Sequence, residues 1–245
     1  MFRERRSLRQ SLQMKLLELS KQNRRLTLEK LAQELHAAPS TISQSVERLS
    51  KDGFVSFDEI LLELDDEQRI KLAQELVHSG RDPQIVSRYL DWQEFEDFAV
   101  RSLEENGFNA KKHVTFKTRK GRREIDILAW NDNLILALDC KHWLRGGSAA
   151  RMKTVGEAQF ERAKALADRP ELLTKLGIPN STGRSILPMI FALGEPRQTV
   201  VNGIPIVSVP KLVSFLYGIS PVDESFRKVR VKAHTKVILF GEPKA

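Results

Sequence analysis

Two apolar runs meet at a polar break in REIDILAWNDNLILALDCKHW, residues 123–143, and no other stretch constrains the fold as strongly. Asp132-Asn133 between alternating strand formers predicts a two-residue hairpin turn. With that turn Asp126 faces Asp139 and Glu124 faces Lys141, and the alternation of side chains along a strand puts these ionisable groups on one face. Ile125, Ile127, Leu136, Leu138 and Cys140 fall on the other. Packing alone does not select carboxylates and an ammonium amid such apolar neighbours, because desolvated charge is costly. Adjacent carboxylates repel unless a cation or a shared proton relieves them. Hard oxygen ligands point to a divalent ion, Mg2+ or alternatively Mn2+. Lys141 beside that ion would orient a water and stabilise charge on a phosphate, the combination that phosphodiester hydrolysis needs. The competing reading is a solvated strand face with an ion pair of little energetic consequence. Glu124 is expected to pair with Lys141 rather than to touch the metal.

The hairpin sits in a larger α/β pattern. A helix is predicted over 92–105, stopped by Asn106-Gly107, followed by strands at 112–118, 123–130 and 134–143. A helix at about 155–168 and another at 170–176 follow, then strands at 186–193 and 204–209 and a helix at 210–217. This αβββαβ order is that of a mixed-sheet layer architecture, placed at 92–220, with a C-terminal extension at 221–245 containing the strand candidates VRVKA and TKVILF.

Residues 1–57 read differently. Leu12, Leu16, Leu17 and Leu19 form an apolar helical stripe, and Thr27 caps a second helix. A break at His36-Ala37-Ala38-Pro39 precedes Ser40, the expected cap of a third helix carrying Ile42, Val46 and Leu49, and Phe54–Phe57 follows as a strand. Between the two modules, 58–91 holds 4 basic and 9 acidic residues, against 11 and 6 before it and 25 and 17 after it, so it is assigned as a helical linker.

Two resemblances follow from these residues. LTLEKLAQELHAAPSTISQSVERLSKDGFVSF resembles the winged helix-turn-helix family. Asp126, twelve intervening residues and Asp139-Cys140-Lys141 resemble the signature of the PD-(D/E)xK, or restriction-endonuclease-like, nucleases, and FEDFAVRSLEENGF resembles the first helix of that fold in Mrr-type and archaeal Holliday-junction-resolvase members. The leading proline of the signature is absent; Ile125 stands there. The resemblance implies a metal site of Glu96, Asp126 and Asp139, with Glu94 the weaker alternative to Glu96, and catalytic roles for Lys141 and for Gln159 in VGEAQFERAKAL. It also implies a prokaryotic, archaeal setting in restriction or in DNA repair and recombination, and a homodimer, since such nucleases often dimerise to cut both strands.

The charge agrees with a polyanionic partner. Forty Lys and Arg against 32 Asp and Glu give +8. On the recognition helix Ser40, Thr41, Ser43, Gln44 and Arg48 are placed to meet DNA, although winged helices also serve as protein-protein modules. Arg3, Arg5, Arg6 and Arg9 read as a flexible basic arm, and residues 144–156, with Arg145, Arg151 and Lys153, as a substrate-contacting loop. Lys117, Arg119, Lys120, Arg122 and Arg123 belong to a run of seven basic residues within 111–123 that would track the phosphate backbone. His142 is expected in a packing or substrate-proximal role rather than as a metal ligand, and Trp143 in the core rather than stacked on a base. A single Cys excludes a disulfide framework and fits a reducing compartment. With no signal peptide pattern and no long apolar run, the expectation is a cytoplasmic, nucleoid-associated DNA endonuclease that does not enter membranes. The rival expectation is a DNA-binding regulator whose nuclease-like domain no longer cuts; cleavage of RNA suits the winged helix less well.

Overall fold

The computed structural model describes residues 2–141, 149–178, 181–220 and 224–232. The first helix, α1 (Phe2–Ser20), buries Leu12, Leu16 and Leu17 along one face. It also absorbs the expected basic arm: Arg3, Arg5, Arg6 and Arg9 lie within its span, and Arg9 bonds Asp52 at 2.9 Å. A short strand β1 (Arg25–Thr27) leads into α2 (Leu28–Glu34), whose Lys30 N–H is capped by the Thr27 hydroxyl. The next helix, α3 (Pro39–Lys51), starts earlier than expected. Its cap is Ala38, and Pro39 supplies a pre-set backbone angle at the first helical position, so Ser40 lies inside the helix. Strands β2 (Ser56–Phe57) and β3 (Leu61–Glu63) complete an antiparallel sheet ordered β1-β3-β2. This is a winged helix-turn-helix whose sheet runs on past residue 57, because Leu62 and Leu64 are needed in its core.

Capping boxes start both α4 (Asp66–His78) and α6 (Trp92–Glu105), with the short α5 (Pro83–Ser87) between them. The linker is not a tether. Arg69 on α4 is fully buried, and every one of its donors has an acceptor. Nε and Nη2 donate to the two oxygens of Glu94 on α6, at 2.6 and 3.2 Å; Nη1 donates to Leu17 O at 2.8 Å and to the Ser20 hydroxyl, both on α1; Nη2 also reaches Tyr89 O. Around this hub one apolar core runs from Leu12 and Leu16 through Leu72 and Leu76 to Phe95, Phe98 and the central sheet.

Among the described residues that sheet has seven strands: β4 (Asn109–Thr118), β5 (Gly121–Trp130), β6 (Ile135–Lys141), β7 (Ser185–Ala192), β8 (Val200–Val201), β9 (Ile204–Ser208) and β10 (Val229–Arg230). The order is β4-β5-β6-β7-β9-β8, with β10 pairing antiparallel to the start of β7; β4 to β6 form a meander, and β6, β7 and β9 run parallel. Helix α6 covers one face, where Phe95 stacks on Phe191 at 5.2 Å. On the other lie α7 (Ala149–Ala167), through Ala163 and Leu166, and α8 (Pro170–Lys175), through Leu173. The last helix, α9 (Leu212–Gly218), follows a single 3-10 turn. Arg151 and Lys153, expected in a loop, are therefore helical, while Arg145, His142, Trp143 and the TKVILF strand candidate lie outside the described residues.

Because Arg69 and Glu94 are buried together, removing either alone leaves a core charge without its main partner, Glu94 then keeping only the partly exposed Arg24 at 3.0 Å. Arg69→Leu or Glu94→Leu is expected to cost about 3–5 kcal/mol each, and the double substitution less than their sum, in denaturant unfolding followed by circular dichroism.

Candidate metal and nuclease site

The hairpin register is the one that the turn demands. Trp130 pairs with Ile135 and Ile127 with Leu138, and Asn131 closes the turn, its side-chain oxygen accepting from the N–H groups of Asn133 and Leu134. The ladder between β5 and β6 ends at Ile127–Leu138. Beyond it the Asp126 carboxylate takes over, its Oδ2 accepting the Cys140 N–H at 2.8 Å. The strands part here, and the acidic groups gather in the fork.

A distortion on the other side of β5 drives this. Pairing of β4 with β5 runs through Lys112–Ile127, resumes at Val114–Ile125, and skips His113 and Asp126. His113 has φ +52°, the left-handed region, which turns the chain over at that point. Ile127 and Ala129 accordingly pack toward α6, whereas Val114, Phe116 and Ile125 pack toward α7. The expectation that Ile125 and Ile127 share a face is corrected by this switch. So is the Glu124–Lys141 pair: Glu124 Oε1 lies 3.0 Å from His113 Nδ1, and Lys141 Nζ lies 2.7 Å from Asp139 Oδ2.

Glu96 reaches the fork from α6. It is 1% exposed, its Oε2 sits 3.3 Å from His113 Nε2, and one oxygen each of Glu96 and Asp126 and the Cys140 Sγ all lie within 4.8 Å of one another. Glu94, the alternative, is committed to Arg69 and to the cap of α6. Burial holds the Glu96 carboxyl above its ordinary value; the charge on His113 opposes the rise and that on Asp126 adds to it. Burial, then the charge of Asp139, likewise raises Asp126, against the Cys140 N–H and the cations Lys141 and Arg162. The Cys140 thiol is pushed well above its ordinary range, first by burial and then by the charges of Asp126, Glu96 and Asp139.

Asp139 enters from the α7 side and is 2% exposed. Its Oδ1 accepts from Arg162 Nη1 at 2.7 Å. Gln159 is fully buried; it donates to Ala137 O at 2.8 Å and accepts from Arg162 at 2.9 Å, so its partners are β6 and Arg162. Glu96 Oε2 and Asp139 Oδ2 are buried without an aligned hydrogen-bond donor. Buried carboxylate oxygens left in that state, with the Asp126 carboxyl raised by burial and then by the charge of Asp139, suit a divalent cation on oxygen ligands.

Among the expected DNA contacts, Ser40, Thr41, Gln44 and Arg48 are exposed on α3, and Ser43 is half-buried, its hydroxyl bonding Glu47 at 3.3 Å. Lys117, Arg119, Lys120, Arg122 and Arg123 are exposed on the tip of the β4–β5 hairpin, where Lys117 pairs with Arg122. Between this tip and α7 lies a groove of about 570 Å³, lined by Arg119, Lys120, Arg123, Lys164 and Arg169, with Glu161 and Asp168 among them. His113 and Arg162 are the site residues that the sequence reading missed. Neither has a motif: one is a histidine in a basic run, the other an arginine three positions after a glutamine on a helix.

Residues 15–59 match the family described as iron dependent repressor, N-terminal DNA binding domain, and residues 87–171 match the restriction endonuclease family Mrr_cat. A protein of Archaeoglobus fulgidus, described as uncharacterized, is 31% identical over 126 residues, which cover 51% of this chain and 88% of its own. A crystal structure of a protein of unknown function, AF1548, matches with a TM-score of 0.31 and 20% identity over 46% of this chain and 55% of that one. The crystal structure of protein VC1899 from Vibrio cholerae matches with a TM-score of 0.35 and 10% identity over 87% of this chain and 50% of that one. The chain thus spans about half the length of these solved structures. Among the described residues no helix is long and apolar enough to cross a membrane.

The burial of Cys140 can be tested directly. The thiol is expected to resist a disulfide-exchange reagent in the native chain and to react fully in guanidinium; fast native reaction would mean that the fork is open to solvent.

Proposed function

Given that this chain belongs to one family with the Archaeoglobus fulgidus protein, and joins an Mrr-type restriction endonuclease domain to an iron-repressor-like DNA-binding domain, we propose that it is a metal-dependent endodeoxyribonuclease acting in restriction or in DNA repair and recombination. The observation that carries this reading is the fork itself. Glu96 from α6 and Asp126 from β5 come together there beside Cys140, the charge of Asp139 on β6 acts on Asp126, and Lys141 stands at the edge, 2.7 Å from Asp139.

Glu96, Asp126 and Asp139 would hold the cation, Mg2+ or Mn2+. When bound, such an ion supplies a nucleophilic water at neutral pH and charge stabilisation for the phosphate. Lys141, about one quarter exposed, is near enough to the carboxylates to hold the attacking water by a hydrogen bond and to lend positive charge to the phosphate as it gains negative charge. Gln159 and Arg162 act behind Asp139 rather than on the substrate.

The substrate is read as DNA because cations flank the fork on the hairpin tip while the winged helix offers small polar donors. Ser40, Thr41, Ser43, Gln44 and Arg48 suit base edges and phosphates in a major groove, and Lys117, Arg119, Lys120, Arg122 and Arg123 suit the backbone near the site. Cutting both strands of a duplex calls for two such sites, which a homodimer would supply.

The test is cleavage of labelled duplex, single-stranded and four-way-junction DNA with Mg2+, Mn2+ or EDTA. Asp126→Ala and Lys141→Ala are each expected to lose at least about 100-fold in rate while still binding DNA. Metal-independent cutting, or binding of every substrate without cutting, would overturn the proposal, and the latter would favour a DNA-binding regulator. Replacing both Lys117 and Arg122 by Ala is expected to weaken binding regardless of sequence and to flatten the dependence of log K on log salt by about 1–2, measured by fluorescence anisotropy.

A further inference from the structure

Each oxygen of the buried Asp139 carboxylate lies 2.7 Å from a cation, Oδ1 from Arg162 and Oδ2 from Lys141, but the two cations are held differently. Lys141 approaches on a flexible stem without hydrogen-bond alignment to Oδ2. Arg162 is braced. Its Nη1 donates to Asp139 Oδ1 and, at 2.9 Å, to Gln159 Oε1. Gln159, fully buried, donates in turn to Ala137 O at 2.8 Å. A closed chain of hydrogen bonds therefore leaves β6 at Ala137, passes through Gln159 and Arg162, and returns to the same strand at Asp139.

We infer that Arg162 is a positioning residue that fixes the rotation of the Asp139 carboxylate, presenting Oδ2 to the fork, and that Gln159 acts only by holding Arg162. This inference rests on the nuclease reading above. A carboxylate on a strand can rotate about its last side-chain bond, and a bond to one oxygen from an anchored guanidinium stops that rotation. An outer-shell partner of this kind orients a ligand that it does not replace. The planar guanidinium matters here because its rigid fork, once Gln159 holds it, fixes the direction of the N–H that reaches Asp139, whereas a lysine ammonium on a flexible stem can turn.

Arg162 is itself 29% exposed, so a direct grip on a phosphate is the alternative that the experiment must separate. The full chain is compared with Arg162→Lys, Arg162→Ala, Gln159→Ala and the Arg162→Ala/Gln159→Ala double variant. Mn2+ affinity is read by electron paramagnetic resonance without DNA, and kcat and KM are read on the DNA that the wild type cuts. Arg162→Lys keeps the charge, and its thermal melting curve shows whether it still folds. It is expected to lose about 10–100-fold in Mn2+ affinity and in kcat, with KM for DNA within about twofold of wild type. Gln159→Ala is expected to lower kcat in the wild type and to add nothing to Arg162→Ala.

A raised KM with unchanged kcat and Mn2+ affinity would overturn the inference and make Arg162 a phosphate contact. Full activity and Mn2+ affinity in Arg162→Lys would overturn it by showing that only charge matters. Multiplying losses in the double variant would overturn the part assigned to Gln159. If the wild type cuts no DNA, the nuclease reading fails by itself, and the Mn2+ affinities still decide whether Arg162 braces Asp139.

Discussion

Taking the Arg69 guanidinium out of water costs several kcal/mol, and the fold can carry that cost only because every N–H of the group ends on an acceptor. Those acceptors come from α1, from the segment after α5 and from α6. The same arginine thus fixes the winged helix, the acidic middle segment and the first helix of the sheet domain against one another. Glu94, its partner, also forms the capping box of α6 with Asp91, so the start of that helix is fixed twice. Two residues further along α6 stands Glu96. The placement of a carboxylate in the candidate site therefore depends on a buried ion pair that takes no part in the chemistry.

The second constraint is geometric. A β-sheet cannot bring side chains from its two faces together while its ladder is intact, since alternate residues point apart. This sheet does so by ending the β5–β6 ladder at Ile127–Leu138 and turning β4 and β5 over at His113 and Asp126. Glu96 arrives from the α6 side, Asp139 and Arg162 belong to the α7 side, and Asp126 lies in the gap with its carboxylate standing in for a ladder acceptor. Burial first, and then the charge of a neighbouring carboxylate, raises the pKa of Glu96 and of Asp126. That is the electrostatic condition that a divalent cation relieves.

Much of this was legible in the residues. The Asn131–Leu134 turn and the alternation on either side fix the hairpin register, and with it the neighbourhood of Asp126 and Asp139. Helix α6 could be placed because a helical apolar stripe runs up to the stop at Asn106-Gly107. What escaped has physical reasons. A left-handed histidine has no local signal, so the face switch was invisible and Glu124 was paired with the wrong partner. Pro39 outranked Ser40 as the helix start because a ring that pre-sets φ suits the first helical position. Arg69 looks like one more charge on a solvated helix until three other segments close over it, and Arg162 looks like a surface residue until Gln159 and Asp139 are seen beside it. Tertiary contacts of that kind leave no periodicity to read.

The proposed nuclease chemistry depends on the fork being a cation site built from three carboxylates. The direct measurement is anomalous diffraction from crystals of the full chain soaked in Mn2+, beside the same experiment on Asp126→Ala. A peak bounded by Glu96, Asp126 and Asp139 is expected, with oxygen ligands at about 2.2 Å, lost or displaced in the variant. A fork that stays empty in Mn2+, or a peak unchanged by Asp126→Ala, would contradict the proposed chemistry.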